Sequence, residues 1–452
     1  MRYIVLFFVV TVVHVAGLAS AQSLRSGPMA GFTDMQSTTI WLQTDAPGLV
    51  ELTYWPRRQG PSISRVHQLQ TLGLASNTAH MQLQGLAPGE IYDTSLSIDG
   101  KDVLAPGAFS FATPALWQYR EAPPAFTFLA GSCHFTNDPE TDRPGPGFGA
   151  GYEIFGAMAQ MKPAATLWLG DNIYLRETDW HSAVGIDNRY KKSRALPALQ
   201  ALLRTGQHWA TWDDHDFGPN DANSSYPLAD ESRALFKRYW ANRSYGSSQL
   251  PGIQTVMSLH DVDVFMLDNR SFRDDAFKGR PAERRQFGDE QMRWLRNALA
   301  NSRAPIKIIA SGGQFLNEIN PWEGWHWYPK ERADFLKWLE DESIAGVLFL
   351  SGDRHHSVLM HTRGEKGYAY WELTCSPLTA GTFPARQEDL NNPMTQPGTL
   401  VTQRNFCAIH VEGAAKDRRL RLQVRASDGA LLWERALTVT QLGAQTHKPT
   451  SK

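Results

Sequence analysis

Cysteine is scarce in this sequence, which limits what can hold the fold together. The 452 residues include three cysteines, too few for the disulfide framework of a small secreted domain. Because three is an odd number, at least one thiol is free, bound to a metal or paired with another molecule. Cys375 and Cys407 have no acidic cluster beside them in the sequence, and they either pair with each other or stay buried as thiols.

Net charge and long apolar runs are nearly absent as well. The formal net charge is −1, which gives no electrostatic case for a nucleic-acid footprint. No stretch after the N-terminal run is long and apolar enough to span a bilayer, and no internal repeat is visible. The chain is 42% hydrophobic and 20% charged, which excludes a collagen, a coiled coil or a wholly disordered chain. Its length predicts about two or three domains.

The N-terminal run predicts export. Arg2 precedes an apolar run over residues 3–18, and Ala19-Ser20-Ala21 forms a small-x-small cleavage site. This pattern is typical of a Sec-type signal peptide over residues 1–21, cleaved after Ala21. An uncleaved membrane anchor is the alternative, but the run is short for a span of about 20 residues. We expect a periplasmic or secreted mature protein.

The rest of the chain divides into two regions with different sequence patterns. Residues 22–115 contain short alternating strands separated by turn residues, a pattern that predicts a small β-sandwich. Over residues 116–441, buried-type strands alternate with helical patterns, which indicates a layered α+β domain. The helical patterns cover residues 152–161, 195–203, 228–240, 289–300 and 330–340. The polar tail over residues 442–452 is expected to be loose.

Six apolar strands in the larger domain each end in a polar loop, and most of these loops contain glycine. The strands cover residues 126–130, 166–169, 208–212, 264–267, 306–310 and 347–350. Sites in α/β sheets lie at the carboxyl ends of the strands, so the six loops predict one shared site. It would collect one Cys, one Tyr, several Asp and several His.

The composition of these loops predicts a metal centre. Carboxylates crowded into one cleft repel each other and take up protons unless cations neutralise them, and carboxylate, imidazole, phenolate and thiolate groups all bind metals. Asp353 and His355 are two residues apart, so their side chains share a face of an extended segment. Asp213, Asp214 and His215 are consecutive, so they cannot all face one metal.

The ordered motifs resemble those of the PhoD-like alkaline phosphatases, in the calcineurin-like metallophosphoesterase superfamily. The motifs are Gly-Ser-Cys133, Gly-Asp171-Asn-Ile-Tyr174, Trp-Asp213-Asp214-His215-Asp216, Asp268-Asn-Arg270-Ser-Phe-Arg273 and Gly-Asp353-Arg-His355. The resemblance implies an α/β/β/α metallophosphatase sandwich preceded by a small β domain, for which a turn at residues 86–92 resembles fibronectin type III modules. It also implies a hydrolase acting on phosphate monoesters, diesters or both.

The same resemblance implies an Fe(III)–Ca(II) centre, with other divalent metals as alternatives. Cys133, Asp171, Tyr174 and His355 would hold the iron, and Asp171 would bridge to the calcium side. Calcium would be bound by residues from the third and sixth loops, namely Asp214, Asn220 and Asp353, with Asp213 as a competitor. The expected catalytic residues are Asp214, His215 and Arg270. Arg270, or alternatively Arg354 or Arg189, would bind phosphate oxygens as a bidentate donor.

Several alternatives stay open. The cluster Trp322, Trp325, Trp327 and Tyr328 is either a substrate-facing wall or loop packing, and one of the long stretches 142–151 and 381–404 is a candidate lid. The expected partner is a small-molecule phosphate ester, with no nucleic-acid binding beyond a nucleotide substrate and no predicted oligomeric state. The competing functions are a phosphodiesterase specific for nucleotide, phospholipid or cell-wall polyol phosphates, and a non-catalytic surface-binding protein on the same scaffold.

Overall fold

The computed structural model describes residues 23–443. The predicted signal peptide over residues 1–21 lies outside the described residues, as does the tail from residue 444 onward. Within residues 23–443, no helix is long and apolar enough to cross a membrane. The strands, in chain order, are β1 (Leu24–Thr33), β2 (Ser37–Thr44), β3 (Leu49–Pro56), β4 (Arg65–Gln70), β5 (Thr78–Gln84), β6 (Ile91–Ile98), β7 (Lys101–Leu104), β8 (Ser110–Ala112), β9 (Phe126–Gly131), β10 (Ala165–Leu169), β11 (Gln207–Thr211), β12 (Thr255–Leu259), β13 (Val262–Met266), β14 (Ile306–Ala310), β15 (Val347–Ser351), β16 (Val358–Arg363), β17 (Ala369–Thr374), β18 (Asn405–Glu412), β19 (Arg419–Ala426) and β20 (Leu431–Thr438).

The helices largely follow the predicted patterns. They are α1 (Ile154–Gln160), α2 (Ala183–Arg194), α3 (Gln200–Leu203), α4 (Asp214–Phe217), α5 (Ala229–Tyr239), α6 (Asp289–Asn301), α7 (Pro329–Asp341) and α8 (Gln387–Leu390). The helix predicted over residues 195–203 is wrong in its first half, where Pro197–Leu199 forms a 3-10 turn. A proline disfavours helical backbone in the residue before it, and Leu196 accordingly has a ψ of 118°.

Helix α2 was not predicted, because its sequence lacks a clear apolar stripe. The Ser182 side chain accepts a hydrogen bond from the Gly185 amide at its N-terminus, which satisfies one unpaired amide of the first turn. The helix buries polar as well as apolar side chains, including Arg189 and Arg194. Those arginines bind residues distant in sequence, which the pattern of the helix alone does not indicate.

Two sheets packed face to face form the centre of the molecule. One has nine strands in the order β20-β19-β18-β9-β10-β11-β1-β2-β5, and the other has six in the order β12-β13-β14-β15-β17-β16. Successive residues of a strand point to opposite faces. In β14, Ile308 therefore packs between the sheets, whereas Ile309 packs on the outer side with helices α6 and α7. Helices α1, α2, α3 and α5 cover the outer face of the nine-stranded sheet. This is the predicted α/β/β/α layering.

The N-terminal β-sandwich shares a sheet with the larger domain. Its core lies between strands β1, β2 and β5 and a five-stranded sheet of β4, β3, β6, β7 and β8. Strand β1 also pairs in parallel with β11, with Ala30 opposite Gln207. Gly31 lies so close to Ala241 that a Cβ added there would come within 2.2 Å of its carbonyl oxygen. The sandwich is thereby attached directly to the strand that precedes Asp213.

Candidate active site

Strands from both central sheets deliver their polar loops to one edge. Strands β9, β10 and β11 run parallel in the nine-stranded sheet, and β13, β14 and β15 run parallel in the six-stranded sheet. Four residues just beyond β9, β10 and β15 have left-handed backbone, namely Cys133, Asp171, Asp353 and His355, with φ between 50° and 66°. Such φ values are uncommon for residues other than glycine, and they concentrate at functional sites.

The first group of donors surrounds the carboxylate of Asp171. The Sγ of Cys133 lies 3.5 Å from Asp171 Oδ2, and the hydroxyl of Tyr174 donates to the same oxygen at 3.2 Å. The Tyr174 hydroxyl also lies 3.2 Å from Nε2 of His355. The structure therefore brings together all four side chains expected to bind iron.

Neighbouring polar groups fix the orientation of this group. His355 Nδ1 lies 2.5 Å from the carbonyl oxygen of Gly381, and a carbonyl only accepts, so Nδ1 carries the proton. The unprotonated Nε2 then faces Tyr174, as a metal-binding imidazole requires. Ser376 donates to Cys133 Sγ at 3.2 Å and accepts from the His355 amide at 2.9 Å. One hydroxyl thus ties two donors together.

The second group of donors lines a cavity of about 290 Å³. Asp171, Asp214, Asn220 and Asp353 all lie on its wall, together with His215. Ligand atoms of Asp171, Asp214 and His215 lie within 4.8 Å of one another. Asp214 is held by the amides of Asp221, at 2.8 Å, and His215, at 3.0 Å. The side chains expected around calcium therefore face the same space as Asp171.

Asp213 and Arg270 lie behind this cavity rather than on its wall. Asp213 Oδ1 accepts from Nε of Arg270 and from Nδ2 of Asn269, both at 2.7 Å. Arg270 is 1% exposed, and its other donors bind Glu323 and the carbonyl oxygen of Ala222. In this arrangement the guanidinium is a buried cation between two carboxylates, and its donors do not reach the cavity.

The other two candidate phosphate-binding arginines differ from each other. Arg189 binds Asp138 and Asp179 in a separate buried cluster. Arg354 lines the cavity, and its Nη2 lies 3.8 Å from a carboxylate oxygen of Asp389. Of the three arginines considered, Arg354 is the one whose side chain reaches the cavity.

Burial works against negative charge on the first donor group. It raises the pKa of Cys133, and together with the charges of Cys133 and Asp214 it raises the pKa of Asp171 well above its usual range. Burial and the charge of Asp171 likewise raise the pKa of Tyr174. Asp214 differs: burial opposes its charge, but His215 and Arg270 hold its pKa well below the usual range.

These donors fit a metal centre. Thiolate, phenolate and carboxylate are charged forms that burial disfavours, and a bound cation favours them. The anionic oxygen and sulfur donors with one imidazole suit a ferric ion, whereas the oxygen donors Asp214, Asn220 and Asp353 suit calcium.

His215 lies at the junction of the two groups. Its ring packs against Tyr174 at 4.2 Å between centroids, and its Nδ1 is buried without a partner among the described residues. Burial, opposed by the charge of Asp214, lowers its pKa. The imidazole is therefore neutral and lies close to both donor groups.

Sequence reasoning missed two site residues. Glu323 lines the cavity and binds both Arg270 and Arg273, but it stands inside an aromatic stretch that gave no acidic signal. Asp221 has left-handed backbone and lies on the wall too. The resemblance pointed to Asn220 alone, although Asp221 follows it directly in the sequence.

The aromatic cluster near Glu323 divides between the two interpretations. Trp322 is half-exposed and lines the cavity, whereas Trp325 and Tyr328 pack in the core under α6 and α7. Phe383, Arg386 and Asp389, from the stretch 381–404, also line the cavity. The structure also pairs Cys375 with Cys407 in a disulfide and leaves Cys133 free.

Two family models match the chain. The PhoD-like phosphatase model matches residues 258–422, and a domain of unknown function, DUF7800, matches residues 21–116. Alkaline phosphatase D from Bacillus subtilis is 24% identical over 338 residues, which cover 62% of this chain and 54% of that protein. The chain thus aligns with about half the length of this curated relative.

Two solved structures share the fold. A structure of PhoD, 18% identical, superposes with a TM-score of 0.73 and covers 91% of this chain and 88% of its own. A purple acid phosphatase from yellow lupin seeds, 11% identical, gives a TM-score of 0.64 and covers 91% of this chain and 74% of its own. These two structures show the fold, and the family model and the curated relative confirm the resemblance to PhoD-like phosphatases that the motifs predicted.

Proposed function

We propose, from the premise that this chain carries a PhoD-like phosphatase domain, that it is a metal-dependent phosphoric ester hydrolase of the alkaline phosphatase D type. One observation carries the proposal: the carboxylates of Asp171, Asp214 and Asp353 and histidine imidazoles, from loops of both sheets, line one cavity. The thiol of Cys133 and the phenol of Tyr174 contact two of these side chains, Asp171 and His355. A non-catalytic binding protein would not need every one of these donors.

In this proposal Cys133, Asp171, Tyr174 and His355 hold Fe(III), while Asp214, Asn220 and Asp353 hold Ca(II) or another divalent ion. Asp171 bridges the two groups, since its Oδ2 faces Cys133 and Tyr174 and its Oδ1 faces the His215 amide. When bound, such metals orient the phosphate, neutralise its charge and activate a water for in-line attack.

The chain's own residues bind and orient the ester. His215 lines the cavity, where its neutral imidazole contacts a phosphoryl or leaving oxygen. Arg354, whose side chain lines the cavity with Nη2 at 3.8 Å from Asp389, replaces Arg270 as the candidate phosphate donor. Arg270 becomes a positioning residue, because it holds Asp213 next to Asp214 and fixes Glu323.

We infer a small-molecule phosphate monoester or diester as substrate and a periplasmic or secreted mature protein. Specificity for nucleotide, phospholipid or cell-wall polyol phosphates is the second candidate. The division into an N-terminal domain over residues 22–115, taken as fibronectin III-like, and a catalytic domain over residues 116–441 stays a prediction.

The test combines metal analysis with turnover of p-nitrophenyl phosphate and bis-p-nitrophenyl phosphate, with and without a chelator. We expect bound iron, and hydrolysis that the chelator abolishes. Cys133→Ser and Tyr174→Phe should each lose iron, and should lose more activity than the roughly 10–100-fold that outer-shell partners of metal ligands cost. Tyr190→Phe is the matched control, because Tyr190 is a buried tyrosine of α2 whose hydroxyl has no partner among the described residues.

Each measurement tests a different claim of the proposed function. Absence of hydrolysis by the metal-loaded protein would refute the claim that it is an enzyme. Full retention of iron in Cys133→Ser would refute the claim that the Cys133 thiolate binds iron. Diester turnover far above monoester turnover would favour the phosphodiesterase candidate.

A further inference from the structure

A second cavity of about 460 Å³ adjoins the metal-binding one. The two share His215, Asn220, His355 and Phe383. An ester bound with its phosphate beside Asp171 and His215 therefore lies next to this second space.

Five aromatic side chains lie on its wall. Phe135 lies 5.8 Å from Phe148 and 5.0 Å from Tyr174, measured between ring centroids, and Trp180 and Phe383 complete the set. The ring of Tyr174 faces this cavity while its hydroxyl reaches Asp171 and His355. One side chain thus connects the apolar wall to the metal-binding donors.

One ring of this wall, that of Phe135, is held in place by its neighbours. The guanidinium of Arg176 lies 4.0 Å from the centroid of Phe135, and Arg176 itself binds Asp142 at 2.7 Å. A ring fixed in this way loses little side-chain entropy when a ligand packs against it.

The charges around the cavity cancel in pairs. Arg176 pairs with Asp142, and Arg143 pairs with Glu177 at 3.0 Å. Neither sign of charge is left over on the wall, which suits an uncharged ligand. Phe148 and Phe383 are nevertheless 50% and 51% exposed, so two large aromatic rings face solvent beside this space. Exposed apolar surface of this kind marks binding grooves.

We propose that this cavity is a subsite for the leaving alcohol, and that it selects phosphate esters of aromatic or similarly apolar alcohols. The proposal rests on the proposed function, because it places the phosphate of the ester at the metal-binding cavity. In a monoester the group outside the phosphate is the leaving alcohol, so the assignment has one orientation.

Two phosphate monoesters of primary alcohols test it, methyl phosphate and 1-naphthylmethyl phosphate, because their leaving oxygens are similarly basic. We expect the wild type to favour the naphthylmethyl ester in kcat/KM. In Phe148→Ala the ratio of the two kcat/KM values should fall about tenfold, equivalent to about 1.4 kcal/mol. Phe277→Ala is the control, since Phe277 is 56% exposed and packs on Trp327, outside both cavities. Its ratio should match the wild type.

A binding measurement separates this proposal from the proposed function. 1-Naphthylmethanol, titrated calorimetrically into the same proteins, should bind the wild type and Phe277→Ala alike and Phe148→Ala about tenfold more weakly. Hydrolysis of both esters with an unchanged ratio in Phe148→Ala would overturn the subsite. Absence of hydrolysis with intact alcohol binding would overturn the proposed function but support the apolar site. No alcohol binding by the wild type would overturn the site itself.

Discussion

Replacing Arg270 by methionine should destabilise the metal-free protein by about 3 kcal/mol. Removing one partner of a buried ion pair costs roughly 3–5 kcal/mol, because the remaining charge stays buried and unpaired. The lower end applies here, since each stranded carboxylate keeps one donor. Asp213 retains Nδ2 of Asn269 at 2.7 Å, and Glu323 retains Arg273.

Arg189→Met provides a matched control. Arg189 is also buried and also bridges two carboxylates, Asp138 at 3.1 Å and Asp179 at 2.7 Å. Those carboxylates retain Lys192 and the Arg176 amide. We therefore expect a similar loss of stability, about 3 kcal/mol, in a cluster that contains none of the proposed metal ligands.

Calcium should distinguish the two variants. Asp213, Asp214 and Glu323 have ligand atoms within 4.8 Å of one another. Without Arg270 these three carboxylates can be neutralised by a cation, and binding to the folded state alone raises its stability. Added calcium should therefore stabilise Arg270→Met more than the wild type, and should stabilise Arg189→Met no more than the wild type.

The assay is urea unfolding of chelator-treated protein, repeated with added calcium, with m-values compared so that midpoints report stability. Adding Glu323→Gln to Arg270→Met removes one stranded charge and should recover about 1–2 kcal/mol, within the usual coupling of contacting residues. A loss below about 1 kcal/mol in Arg270→Met, or equal calcium gains in both arginine variants, would refute the buried-cation role.

Two further predictions concern the core. Replacing both Cys375 and Cys407 by alanine opens a cross-link between residues 32 apart in sequence, which should cost ~3–4 kcal/mol on the chain-entropy scale; a melting temperature equal to that of the wild type would contradict this. His208 is buried, and burial together with the nearby charge of Arg194 lowers its pKa to about 3. Between pH 3 and 6.5 the unfolded chain therefore binds more protons than the folded protein. The free energy of unfolding consequently decreases as the pH falls through that range. His208→Gln should therefore lose less stability than the wild type between pH 7 and pH 5 in urea unfolding, and equal losses would show that His208 makes no contribution.

Much of the site could be predicted because its chemistry is local in sequence. Asp171 and Tyr174 stand three residues apart, and Asp353 and His355 two apart, so each pair enters the site on one loop. The six strands before these loops are buried on both faces, and such strands read as continuous apolar runs. Parallel strands then align their carboxyl ends, which accounts for the shared edge.

Other features could not be predicted because their partners lie far away along the chain. Glu323 is 53 residues from Arg270, and no local pattern indicates that pair. The sharing of β1, β2 and β5 with the larger sheet is similarly invisible, since backbone pairing of β1 with β11 leaves no signature in side-chain alternation.

By itself the sequence determined which residue types stand at the ends of which strands, and so the class of chemistry that the loops can support. Only the tertiary structure decided which of those residues reach the cavity. It directed Asp214 to the wall and Asp213 to Arg270, and it paired Cys375 with Cys407 while leaving Cys133 among the donors. The physical reason is that burial and pairing of a charge or a thiol depend on contacts between distant segments, which exist only once the two sheets have packed.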